Sequence, residues 1–212
     1  MKILIVTQYF WPETFRVNDL AVSLVNRGNQ VTVLTGTPNY PEGKFFEGYG
    51  WFKRVRESFQ GVDVIRVPQL PRGNSGKFRL ILNYLSYLVS AGIFGPIVFR
   101  KPIDLIFVFQ VSPITIALPA ILIKKIKNVP LFLWVQDLWP ESLSAVGAYS
   151  PNSKVFMFVK ELVRFVYSNS DRILIQSNAF ESYIKKYVGD KKNIHYFPNS
   201  AEKLYEPILN NK

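Results

Sequence analysis

The chain of 212 residues contains no cysteine. That absence excludes disulfide frameworks, thiolate zinc sites and cysteine nucleophiles, and it fits a reducing compartment. Histidine is scarce as well. His195 is the only one; it lies in Asn193-Ile194-His195-Tyr196-Phe197 without a neighbouring metal partner, so it reads as structural. Acidic residues are the third scarcity: 15 Asp and Glu stand against 26 Lys and Arg, a net charge of +11. The excess is spread over both halves of the chain and steers the protein toward polyanions, meaning nucleic acid, anionic lipid or phosphorylated substrates. No helix-turn-helix, zinc finger or aromatic RNP motif is present, so a membrane surface or a diphosphate ligand is favoured over nucleic acid. No Asn-x-Ser/Thr sequon occurs. The opening run Ile3-Leu4-Ile5-Val6 is too short for a signal peptide and no small-residue cleavage site follows, so the cytoplasm is the default expectation.

What is abundant is apolar mass. Hydrophobic residues make up 48% of the chain, enough for a large core in one domain. Short apolar runs alternate with helical patterns, the signature of βαβ units and a parallel sheet. Strands are expected at Lys2–Thr7, Val31–Thr35, Val62–Val67, Ile103–Phe109, Leu131–Val135 and Arg172–Gln176, with a last short one at Ile194–Phe197. Such continuous runs suit strands covered on both faces. Helices are expected at Thr14–Arg27, stopped by Gly28, and at Ile114–Lys127, Lys154–Ser168 and Asn178–Tyr187. The lysine groups Lys124-Lys125-Lys127, Lys185-Lys186 and Lys191-Lys192 read as solvated helix ends, where cations favour the macrodipole. The longest irregular stretch, Gly36–Gln60, is of the length that usually carries function. The segment Lys77–Lys101 is apolar almost all round and long enough to span a bilayer. Three readings compete for it: a buried crossover helix, a helix partly sunk in the membrane interface, and a true span.

A doubly wound parallel sheet binds ligands outside the carboxyl ends of its strands, where strand order reverses. The first strand exits into Gln8-Tyr9-Phe10-Trp11-Pro12-Glu13. Three consecutive aromatics at such a place suit stacking on a sugar ring or contact with a lipid tail; the alternative is that they pack under the long loop. No Gly-x-Gly-x-x-Gly and no Walker loop follows, so the dinucleotide and NTPase readings fail at their most specific point. The helix start at Thr14-Phe15-Arg16 offers free N–H groups and a guanidinium to an anion. The fifth expected strand exits into Trp134-Val135-Gln136-Asp137-Leu138-Trp139-Pro140-Glu141. There Asp137 is placed to meet substrate, or else to cap the following turn while Glu141 faces solvent.

In their order and spacing these pieces resemble the family-four retaining glycosyltransferases. The resemblance runs from residue 1 to about residue 205. It is carried by Met1–Phe10, the helix ending Asn26-Arg27-Gly28, the Gln30–Thr35 strand, Asp171-Arg172-Ile173-Leu174-Ile175-Gln176-Ser177 and Phe197-Pro198-Asn199. The Thr37-Pro38-Asn39-Tyr40-Pro41 loop and Val135–Glu141 look like a subgroup that builds O-antigen, capsule and colanic-acid units, including N-acetyl-fucosamine transferases.

The resemblance implies a Rossmann-like α/β domain that is one half of a GT-B fold. Residues 1–205 are expected to form the acceptor-side half, residues 206–212 a hinge or tail, and the donor-binding half to lie outside this chain, which alone is expected to be inactive. Asp137 and Gln136 would face the reacting centre. Trp11, Glu13 and Arg16 would line acceptor or phosphate, with Tyr40 entering from the long loop. Tyr9, Asn39, Gln110, Ser112, Trp139, Glu141, Ser177 and Asn199 complete the expected substrate-binding set. A nucleotide-sugar donor, expected to be a UDP-sugar, and a polyprenyl-diphosphate-linked saccharide acceptor are implied, with no cofactor, no metal and no nucleic acid. The inner face of the cell membrane is the expected location. Peripheral attachment would involve Phe45-Phe46, Tyr49 and Trp51-Phe52-Lys53-Arg54-Val55-Arg56 together with Lys77–Lys101.

Two departures stand out. Many relatives carry a glycine pair after the first strand, where this chain has Thr14-Phe15. Many also have His-Asp after the fifth strand, where this chain has Gln136-Asp137, so no imidazole acts there. A competing reading is a non-catalytic module that docks acceptor, membrane or a separate donor-binding subunit.

Overall fold

The computed structural model describes residues 1–73, 76–98, 102–142 and 153–199. Eight strands form one sheet: β1 (Lys2–Val6), β2 (Gln30–Gly36), β3 (Arg56–Phe59), β4 (Val62–Val67), β5 (Leu105–Gln110), β6 (Leu131–Val135), β7 (Arg172–Ile175) and β8 (Ile194–Tyr196). Their order is β3-β4-β2-β1-β5-β6-β7-β8, and every pairing is parallel except β3 with β4. Among the described residues five helices connect them: α1 (Arg16–Asn26), α2 (Lys77–Val98), α3 (Ala117–Lys127), α4 (Lys154–Asn169) and α5 (Phe180–Val188). A single 3-10 turn, Ile114–Ile116, leads into α3.

Each strand anticipated from an apolar run is present, because a parallel strand covered on both faces has no polar side to interrupt it. The exception is β3, which lies inside the stretch expected to be irregular. Its residues Arg56-Glu57-Ser58-Phe59 alternate in exposure and pair antiparallel with β4 at the sheet edge. The two-residue turn between them, Gln60-Gly61, has positive φ at both positions (48° and 82°). That conformation matches the right-handed twist of a hairpin, and it was the local signal for the extra strand.

Helices α2, α3, α4 and α5 cover one face of the sheet, where Tyr87, Ala91, Ile121, Ile123, Val163 and Ile184 join the strand side chains in one apolar cluster. Helix α1 covers the other face through Val17 and Ala21. It stops where Gly28 takes φ +81°, a left-handed conformation that favours glycine. Helix α3 stops likewise at Asn128 (φ 52°), and Ser153 caps α4 by accepting from the Phe156 N–H.

The difficult apolar segment is the crossover helix between β4 and β5. Every fourth residue of α2, namely Asn83, Tyr87, Ala91 and Gly95, is buried against the sheet and α3. A Cβ at Gly95 would stand 3.0 Å from Ile123 Cδ1 and 3.2 Å from Leu34 Cδ2, so the glycine allows a close approach. The opposite side of the helix is also apolar and is exposed. By length and composition Lys77–Ile97 could cross a membrane.

Strand β1 lies between β2 and β5. Chain order reverses there, which puts the crevice at the carboxyl ends of β1 and β5.

Candidate functional site

The exit of β1 folds inward. Thr7 and Gln8 are buried; Gln8 Nε2 donates to Asn83 Oδ1 at 2.9 Å, and the Tyr87 hydroxyl donates to the Thr7 carbonyl at 3.0 Å. Tyr9 and Phe10 are buried too, and only Trp11 of the three aromatics remains partly accessible. The expected exposed aromatic run is therefore replaced by its alternative, packing under the loop. Trp11 stacks on Phe59 of β3 with ring centroids 4.7 Å apart, and Tyr9 stacks on Phe15 at 5.2 Å.

Glu13 explains this fold. It is 2% exposed, and its two carboxylate oxygens accept from the backbone N–H groups of Phe10 (3.2 Å), Asn39 (2.8 Å) and Tyr40 (2.8 Å). One side chain thus ties the β1 exit to the loop after β2. Burial pushes its pKa up to about 7, against the pull of these three hydrogen bonds and of Arg66. Asn39 is equally occupied: its side chain donates to the Thr37 carbonyl and accepts from the Arg72 N–H. Both side chains bond to the loops around them.

Beneath the loop sits a buried ion pair. Arg66 on β4 meets Glu57 on β3 and donates to the carbonyls of Gly36 and Trp11. Tyr49 lies under its guanidinium at 5.0 Å and under that of Arg54 at 5.1 Å.

Tyr40 remains exposed at the crevice. Its ring is 5.7 Å from Tyr9 and 5.5 Å from Phe15, and the Arg72 guanidinium lies 5.0 Å above it. Among the described residues no carboxylate pairs with Arg72. Tyr84 of α2 completes this side. Burial raises its pKa, Arg72 opposes the rise and Asp137 adds to it, so both charges act on this phenol. Sequence reading missed both Arg72 and Tyr84. The signal for Arg72 was its place in Pro68–Gly73, the peptide that leaves β4; Tyr84 has none until the register of α2 is known.

Asp137 occupies the far side, after β6. Its Oδ2 accepts from the Ser112 hydroxyl and from Trp139 Nε1 at 3.1 Å, while Trp139 Nε1 also reaches Ser112 Oγ at 3.3 Å. Among the described residues nothing donates to Oδ1. The turn-cap alternative is not what the structure shows, since both partners are side chains from the crevice. Gln110 is buried at the end of β5 and donates to the carbonyls of Val111 (3.0 Å) and Asp137 (3.2 Å), fixing the loop that carries the carboxylate.

The remaining expected residues spread along the same edge. Gln136 Oε1 accepts from Asn199 Nδ2 at 2.9 Å, and the Gln136 carbonyl accepts from Gln176 Nε2 at 2.6 Å. Glu141 accepts from the Tyr187 hydroxyl at 2.7 Å instead of facing solvent. Ser177 accepts from the Ala179 N–H at the start of α5, and Arg16 pairs with Asp19 at 3.3 Å on α1. Glu141, Ser177 and Arg16 therefore bond within the domain. Among the described residues no group of His, Asp and Glu could hold a metal ion. A concavity near Lys2, Gln30 and Ile103 lies at the amino-terminal edge of the sheet; it is lined by Glu57 but by none of Tyr40, Arg72, Tyr84 and Asp137.

Among the described residues the crevice thus offers an aromatic shelf, a guanidinium without a carboxylate partner and a carboxylate with a free oxygen. Such a set can stack a ring, bind a phosphate and orient a hydroxyl. The Probable glycosyltransferase WbjE of Pseudomonas aeruginosa is 30% identical over 77 residues, 36% of this chain but only 19% of that protein. Among solved structures, sucrose-phosphate synthase from Thermosynechococcus elongatus superposes with a TM-score of 0.58 at 12% identity, covering 93% of this chain and 88% of that one. Arabidopsis thaliana UGT89C1 complexed with UDP-L-rhamnose gives 0.59 at 13% identity, and this chain spans 53% of its length. These likenesses show the fold, that of GT-B glycosyltransferases. Residues 14–200 match the Glycosyl transferase 4-like domain, and with most of its length so matched the chain belongs to that family.

Proposed function

We propose that this chain is the acceptor-side half of a retaining glycosyltransferase that extends a polyprenyl-diphosphate-linked saccharide in bacterial surface polysaccharide synthesis. The donor is a nucleotide-sugar, in our reading a UDP-sugar, held by a second domain. The observation that carries the reading is the pair of charged groups at the β1/β5 crevice, Arg72 over the Tyr40 ring and Asp137 held by Ser112 and Trp139. Arg72 would neutralise the acceptor diphosphate, Tyr40 would stack on a sugar ring, and Asp137 Oδ1 would receive the acceptor hydroxyl. The acceptor oxygen bonds to the anomeric carbon as the nucleoside diphosphate departs with its electron pair, and the hydroxyl proton leaves on a diphosphate oxygen. Catalysis is then positioning plus electrostatic stabilisation, without a side-chain nucleophile. Gln136, joined to Asn199 and to Gln176, would face the donor in our reading.

The test uses the chain together with its donor-binding half. Asp137→Asn keeps an acceptor oxygen for Ser112 and Trp139, so the fold should survive unchanged in circular dichroism and melting. Turnover should fall about 100-fold or more, the scale for losing one preorganised charged contact. A rate equal to wild type would return the chain to the non-catalytic docking reading.

A further inference from the structure

Helix α2 has two apolar faces, and only one is covered. The inner face is stitched to the crevice: Asn83 accepts from Gln8 and donates to Asn39 Oδ1 at 3.4 Å, Ser86 Oγ accepts from the Leu70 N–H at 2.9 Å, and Tyr87 donates to Thr7. The outer face carries Ile81, Leu85, Val89, Ile93 and Ile97 at four-residue spacing, each 44–56% exposed. Phe78 stands at its head, 73% exposed. Helix α3 packs beside α2 and extends the surface with Leu122 and Ile126; α4 packs on α3 and adds Phe158. At ~1.5 Å per residue the stripe from Phe78 to Ile97 is about 28 Å long. Soluble monomers rarely expose a contiguous apolar surface of that extent unless something docks there.

Charge identifies what docks. Lys77 and Arg79 flank the head of α2, and Lys125 and Lys127 close α3, while Lys124 beside them is held by Asp171 at 2.7 Å. Lys154, Lys160 and Arg164 lie on α4, against a single carboxylate in the three helices, Glu161, which pairs with Arg164 at 3.0 Å. An apolar stripe rimmed by cations suits a bilayer with anionic headgroups: side chains reach the acyl boundary while lysines stay at the phosphates. A second copy of this chain would bring the same cations against them. A spanning arrangement would tear Asn83, Ser86 and Tyr87 from their partners, and hydrocarbon offers no replacement.

We propose that the outer face of α2, extended by α3 and α4, is a monotopic docking surface for an anionic bilayer, with the helix lying in the membrane plane. The same helix presents Tyr84 to the crevice, so docking holds the acceptor site at the lipid surface. The docking rests on the reading above only for its purpose. It is measured without donor or acceptor, so either can fail while the other stands.

The experiment is co-sedimentation of the chain with vesicles of phosphatidylcholine alone or mixed with phosphatidylglycerol. Binding should require the anionic lipid and weaken more than tenfold as the Debye length shrinks from ~10 Å at 0.1 M salt to ~3 Å at 1 M. Leu85→Glu/Val89→Glu and Lys77→Glu/Lys125→Glu should each weaken it at least tenfold, with unchanged melting because all four side chains point outward. The chain has no cysteine, so Leu85→Cys carries a single environment-sensitive dye, expected to shift to the blue on anionic vesicles. No binding to either vesicle, no dye shift, or binding indifferent to salt and to both variants would overturn the proposal. So would a dimer that Leu85→Glu/Val89→Glu dissolves.

Discussion

Glu13 makes the stability of the domain depend on pH in an unusual direction. Its carboxyl is buried among three backbone N–H donors, yet burial outweighs them and lifts its pKa from 4.5 to about 7. An acid whose pKa is higher in the folded state binds its proton more tightly there. Its stabilising contribution is complete below the unfolded pKa, is lost as pH rises toward 7, and changes no further above that. At 1.36 kcal/mol per pKa unit the loss is about 3 kcal/mol. Glu13→Gln removes the titration. Its amide cannot accept from all three N–H groups, because Nε2 is itself a donor, so the variant loses about 1–3 kcal/mol at acid pH. Urea unfolding followed by tryptophan fluorescence, from about pH 4.5 to pH 8, measures both terms. Wild type should lose stability across that range while Glu13→Gln stays nearly flat, so that the two curves converge toward pH 8. Parallel curves would show that the three N–H donors keep Glu13 ionised throughout, and the reasoning would fail.

Two further outcomes follow from the same loop and crevice. Glu57→Ala strands the Arg66 guanidinium, which is 2% exposed, and should cost about 3–5 kcal/mol, lowering the melting temperature by roughly 10 °C; a change within a degree or two would mean that water replaces the carboxylate. Arg72→Met should raise the KM for a diphosphate-linked acceptor by about 10- to 100-fold, the equivalent of one lost charged hydrogen bond, with a much smaller change in kcat. An equal effect on an acceptor without phosphate would contradict the role given to Arg72.

The strands were legible because burial on both faces leaves a parallel strand no polar position to conceal it. Strand β3 was not, because an edge strand with one wet face reads as loop: Arg56 and Ser58 point out, and only the Gln60-Gly61 turn betrays the hairpin. Exposure of Tyr9-Phe10-Trp11 was misjudged for a different reason. The segment can turn inward only because Glu13, three residues beyond Phe10, satisfies backbone groups from a loop more than twenty residues away. Asp137 could be placed from its strand exit alone, whereas its orientation depends on Ser112, which β5 brings alongside. Helix α2 defeated periodicity altogether. Both of its faces are apolar, so nothing in the spacing shows which one meets the sheet until Asn83 and Tyr87 find Gln8 and Thr7.

The most direct test of the central claim is calorimetric titration of the chain with a polyprenyl-diphosphate saccharide in micelles, beside a panel of nucleotide-sugars and a transfer assay on the same samples. The account predicts saturable acceptor binding that Arg72→Met weakens, together with no turnover by this chain alone. Saturable nucleotide-sugar binding without acceptor binding, or turnover by the purified chain, would contradict it.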